Sequence, residues 1–162
     1  MSIRQACSVV FAVVFSIFLI CGAATAAVVY ELSSDSTYYQ GCAAPCECPI
    51  GIIGQMTGTF RLIPLRPTSL FTQYRLAYIS WRVVDPNGQV VHKITGSGLY
   101  QVGGEVARMH QLILDLRIDG NPAHFNSGLI QDDSQFPIIS IMVDRGTTCF
   151  DILLDVVADP FK

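Results

Sequence analysis

Cysteine is the residue type in this chain best suited to chemistry, and its spacing is uneven. Cys42, Cys46 and Cys48 crowd into "GCAAPCECPIG" at 41–51, while Cys149 stands far downstream. A C-x3-C-x-C cluster can hold copper or zinc through its thiolates, with Cys149 or a histidine completing the set. It can also exchange thiol for disulfide, a strained Cys46–Cys48 bridge being oxidising, or simply staple a loop. The spacing is not the C-x2-C of common zinc modules, and His92, His110 and His124 are scattered. Redox sites favour C-x-x-C at the start of a helix, whereas this cluster lies among loop residues with Pro45 and Pro49. The pattern therefore points first to disulfides. A Cys46–Cys48 ring is very tight, so Cys42 is expected to pair with Cys46 or Cys48, and the remaining cysteine with Cys149.

Stable disulfides imply an oxidising compartment, and the first residues offer a route to one. Arg4 precedes an apolar run from Val9 to Ile20, followed by Ala24-Thr25-Ala26, the small-x-small form of a signal-peptidase site. The run is shorter than the roughly 20 residues of a spanning helix, and Ile20 before Cys21 does not suit lipidation. Residues 1–26 are thus read as a cleaved signal peptide and 27–162 as one exported domain, periplasmic or extracellular. Removing 26 from 162 leaves 136 residues, enough for a single hydrophobic core. Arg4 is the only charge lost with the signal, so 9 basic face 13 acidic residues. That balance argues against nucleic acid as a partner, since phosphate binding needs basic patches. It also opposes attachment to anionic lipid, and no later segment is long and apolar enough to span a membrane.

Other chemistry is thinly represented. There is no nucleophile elbow, P-loop, H-E-x-x-H or dinucleotide fingerprint. Asp132 and Asp133 sit together in "QDDSQ" without the alternating acids of a calcium loop, and are expected in a solvated turn. Asp115, Asp151 and Asp155 fall on the outward side of strands. The chain is therefore not expected to be an enzyme, and no cofactor is implied. Phe71, Tyr74, Tyr78, Trp81 and Tyr100 gather near the central hairpins. Core packing is the first explanation; a wide barrel would instead let Tyr74, Tyr78, Trp81 and Tyr100 line a pocket for a small apolar ligand.

The elements that position these residues have a two-residue period. Leu112, Leu114, Leu116 and Ile118 share one side of "QLILDLRID", opposite Gln111, Asp115 and Arg117. "DILLDVVA" places Ile152, Leu154, Val156 and Ala158 inward, and "TGTFRL" sets Gly58, Phe60 and Leu62 against Thr57, Thr59 and Arg61. "DPNG" at 85–88 and "DGNP" at 119–122 are turn sequences. "GGEVARMHQL" is the best candidate for a short helical turn. "TGTFRL", "SGLYQV" and "SGLIQ" each put a glycine early in a strand, where bulges and bends let a barrel curve. The expectation is an all-β, antiparallel meander of about eight strands, closed as a barrel or stacked as a sandwich. Its expected role is that of a non-enzymatic binding or structural module, with metal or thiol-redox chemistry at the cysteine cluster as the alternative.

Overall fold

The computed structural model describes residues 26–42, 46 and 51–161. Nearly all of the expected signal segment, and Cys48, lie outside the described residues. Ten strands follow one another: β1 (Val28–Leu32), β2 (Thr37–Cys42), β3 (Ile52–Pro64), β4 (Phe71–Val84), β5 (Val90–Gly103), β6 (Met109–Ile118), β7 (Asn121–Asn126), β8 (Ile130–Gln131), β9 (Ile139–Asp144) and β10 (Phe150–Pro160). Every pairing is antiparallel, and no helix forms among the described residues. The segment suspected of a helical turn, 103–112, is instead the end of β5, the connection and the start of β6.

The strands run as a meander from β2 to β7, and β9 pairs with β10, which returns to β2. This makes a ring of eight strands. β1 adds to the space that β2 occupies, since both pair with β3 on one side and β10 on the other. Between them Ser33–Ser36 loop out, and the register against β10 slips between Leu32↔Ala158 and Thr37↔Asp155. Ser36, fully buried, repairs the break: its hydroxyl donates to the Val157 carbonyl at 2.7 Å and accepts from the Val157 amide at 3.1 Å. The Val157 carbonyl also accepts from the Ser33 amide at 2.7 Å, so the side chain substitutes for the missing partner of the Val157 amide, a donor that is costly to leave unpaired away from water.

The ring is not a clean barrel. β7 meets β9 at a single pair, Asn126↔Asp144, while the two-residue β8 pairs only with β6. A slit therefore runs between β8 and β9. Curvature elsewhere uses glycine. Gly58 takes φ +133° inside β3, and a Cβ there would strike the Ser80 carbonyl and Trp81 Cα of β4. Gly98 also lies against the neighbouring strand, whereas Gly128 sits in open space after β7. The first two glycines of the echo permit close strand approach, and the third only forms a loop.

The expected inward positions are the core. Leu112, Leu114, Leu116, Ile152, Leu154, Val156, Ala158, Phe60 and Leu62 are all buried. They close around Trp81, Tyr30, Tyr38, Tyr100 and Phe125, so the interior is packed with aromatic side chains. Two acids depart from expectation. Asp151, read as facing water, is buried because it caps the 145–149 loop: its carboxylate accepts from the Thr147 amide and its own neighbour Ile152. Asp132, read as part of a solvated turn, is also buried.

Candidate functional site

At the end of the ring where β2 and β10 meet, Cys46 is bonded to Cys149 across a sequence separation of 103. This is one of the long-range links expected from the sequence. Cys42 is disulfide-bonded as well. It lies opposite Phe150 at the end of the β2–β10 ladder. These sulfurs are consequently not thiolate donors. Tyr39 lies across Gly41 and Gly51 with its hydroxyl donating to the Cys42 carbonyl at 3.0 Å, so an aromatic face covers the bare backbone beside the cysteine loop.

The same end carries a polar hollow of about 200 Å³. In it His92 Nδ1 meets Asp119 Oδ2 at 2.7 Å, beside Tyr38 and Arg145. The hydrogen bond to His92 and a second from the Lys93 amide hold the Asp119 carboxyl below its usual pKa. Burial pushes the Tyr38 hydroxyl up to about 12, and it donates to Gln40. His124 and Asp115 form a further pair at 2.8 Å on the exposed surface.

The opposite end is apolar. The four aromatic residues singled out from the sequence divide there. Tyr74 and Tyr100 meet with ring centroids 6.3 Å apart, and both stack on Phe136, at 5.2 and 6.3 Å. Trp81 packs edge-on against Phe60 in the core, and Tyr78 projects outward under the Arg61 guanidinium. Phe136, which the sequence reading did not single out, is the residue common to two depressions. One is a groove of about 840 Å³ walled by Leu32, Phe136, Pro137, Ile138 and Phe161, with Glu31 and Asp159 among its polar residues. The other, of about 440 Å³, lies between Tyr74, Val102 and Arg108.

Toward the same end, a buried polar cluster sits at the slit beside Tyr100. β6 begins with Met109, so His110 takes the inward position next before Leu112 and is 2% exposed. Its Nδ1 lies 3.4 Å from both the Tyr100 hydroxyl and Asp132 Oδ1. Asp132 is held by the Ser134 amide and hydroxyl, at 2.9 and 2.6 Å, and its Oδ2 lies 2.8 Å from Arg108 Nε. That last contact is an ion pair without hydrogen-bond alignment. Burial lowers the His110 pKa against the opposing pull of Asp132, so the ring stays neutral. Burial raises the Tyr100 pKa, and Asp132 adds to it.

His110 lines a cleft of about 400 Å³ along the slit, with Asp133, Ser134, Ser140, Met142 and Asp155. Asp155 is raised above its ordinary pKa by burial and by Asp35. Among the described residues, no three His, Cys, Asp or Glu side chains converge as a metal site.

No family model, curated protein or solved structure matches this chain. Function must therefore be argued from these surfaces themselves. Sequence reasoning missed the His110 cluster because its members come from three segments, but one signal was present. Extending the inward alternation of "HQLILDL" back from Leu112 lands on His110, and a histidine in a core position needs a polar partner.

Proposed function

We propose that the protein is an exported, non-enzymatic binding module that takes a small apolar ligand in the groove beside Phe136. The observation that carries this reading is the contrast between the two places a ligand could sit. The lumen is already filled by side chains such as Trp81, Phe60 and Tyr100, all at most 1% exposed. The end groove, at about 840 Å³, has the size of a small-molecule site and walls of Phe136, Pro137, Ile138 and Phe161. Ligand pockets combine apolar walls with a few polar groups that fix orientation, and Glu31, Ser33, Gln135 and Asp159 are available for that. The Cys46–Cys149 bond supports export, because such bonds persist outside reducing compartments. On this reading the staple and the groove lie at opposite ends of one rigid body.

The test uses the disulfide-intact protein and N-phenyl-1-naphthylamine, a neutral probe that brightens in apolar surroundings. Saturable brightening is expected. It should be lost in Ile138→Asp, a substitution at a partly exposed groove wall that leaves the core intact. Absence of saturable binding, or binding indifferent to that substitution, overturns the reading.

A further inference from the structure

The slit beside β9 is a second surface, independent of the groove. β9 satisfies one edge by pairing with β10 from Ile139↔Ala158 to Asp144↔Leu153. Its other edge has one ladder partner among the described residues, Asn126 opposite Asp144. From Ile139 to Val143 that edge has no ladder partner among the described residues, and Ser140, Ile141 and Met142 border the cleft. An unpaired edge of this kind is a template for another strand. β8 does not fill it, since its two residues are committed to β6 through Met109↔Gln131 and His110↔Ile130. The Asp132 amide extends that commitment by donating to the Arg108 carbonyl at 2.9 Å.

The side chains around the edge specify the guest. Asp133 and Asp155 line the cleft, and neither Lys nor Arg lines it. Arg108, the nearest cation of the cluster, is paired with Asp132. The cleft thus offers acceptors and negative charge, and calls for donors and positive charge. Ser140 and Met142 point outward from β9 and Ile141 inward, so a strand laid beside it would meet two different surfaces. We propose that this edge binds an extended, lysine- or arginine-bearing segment of a partner protein by strand addition. Its main chain pairs with Ile139–Val143, its basic side chains lie on the outer side near Asp133 and Asp155, and small apolar residues face the slit. This division follows the usual logic of strand addition, in which backbone bonds give affinity and alternate side chains give specificity.

The probe is an acetylated, amidated peptide of about seven residues alternating lysine and valine, long enough to cover the edge at ~3.3 Å per residue. Its glutamate–valine counterpart is the control. Calorimetry at low salt should give saturable one-to-one binding of the basic peptide alone, with slowed amide exchange within 139–143. The double variant Asp133→Lys/Asp155→Lys should weaken the basic peptide at least tenfold and admit the acidic one. Met142→Lys, at an exposed outward position, should also weaken it without touching either carboxylate. The proposal fails if the basic peptide does not bind saturably, if neither variant weakens it, or if binding leaves the β9 amides unprotected. It fails equally if the protein alone dimerises through this edge, since a second copy would then be the occupant.

Discussion

Replacing both Cys46 and Cys149 by serine isolates the long-range staple and leaves the Cys42 disulfide in place. In the chain-entropy treatment, a crosslink spanning 103 residues removes about 16 cal/mol/K from the unfolded ensemble, or about 4.7 kcal/mol at room temperature. The native state offers little to offset this. The β2–β10 ladder already holds the two ends together from Thr37↔Asp155 to Cys42↔Phe150, so the loss acts through the unfolded chain. Compact denatured states reduce the figure, and about 2–4 kcal/mol is the expected destabilisation. At roughly 4 °C per kcal/mol for a domain of this size, the melting temperature should fall by about 8–16 °C. Urea unfolding followed by circular dichroism measures the free energy, and calorimetry the melting shift. A second variant sharpens the attribution. Cys149 holds φ +74°, a left-handed backbone that serine does not relieve. Cys46→Ser with Cys149→Gly should therefore recover ~1 kcal/mol relative to the double serine. A loss below about 1 kcal/mol in the double serine would refute the loop-entropy argument, and a glycine variant less stable than the serine one would refute the backbone argument at position 149.

Gly58→Ala forces a Cβ against the Ser80 carbonyl at a backbone angle suited to glycine, and should cost about 3 kcal/mol or more by denaturant titration. Gly88→Ala, with a positive φ but open space around it, should cost only ~1 kcal/mol. Ser36→Ala removes the hydroxyl partner of the half-buried Val157 amide, while the Val157 carbonyl keeps the Ser33 amide, and should cost about 1–2 kcal/mol by the same titration. His110 has a folded pKa below its unfolded value, so its neutral form supports the fold above about pH 6.5 and that support is lost as pH falls. The urea midpoint should drop further between pH 8 and pH 5 in the native protein than in His110→Gln; parallel drops would show that His110 is not the titrating group.

The ladders were legible because a strand with one buried face writes its orientation into every second residue. β6 and β10 read correctly for that reason, from Leu112 to Ile118 and from Ile152 to Ala158. The two turn sequences did the same for the β4–β5 and β6–β7 connections, since Gly88 and Asp119 hold the positive φ that such turns demand. Asp151 misled because alternation describes a strand alone, while its burial comes from the 145–149 loop that it caps; Asp132 misled because a polar stretch reads as a solvated turn, while Arg108 and His110 from another segment lie against it. Which strand neighbours which is a different kind of information. The β2–β10 and β9–β10 pairings join segments whose individual patterns would suit several partners, so the ring's closure, and the weak β7–β9 seam, could not be read from any one of them.

The position of that seam also explains why the polar cluster lies where it does. A closed ladder satisfies its main chain locally and needs only apolar side chains behind it. Where β7 ends and β8 contributes two residues, the ladder gives out beside β9, and the interior next to it is no longer sealed from polar chemistry. There a histidine occupies a core position, with an aspartate, an arginine and a tyrosine around it in place of further leucines. Buried polar networks are costly unless nearly every member is satisfied, so a network placed at the one weakly paired seam in the ring is expected to be tolerated for what the seam does. An opening that only weakened the wall would be cheaper to fill with hydrocarbon. The arrangement instead leaves the β9 edge without a ladder partner beside a cleft that carries Asp133 and Asp155 and no cation, which is the setting in which a basic strand could add.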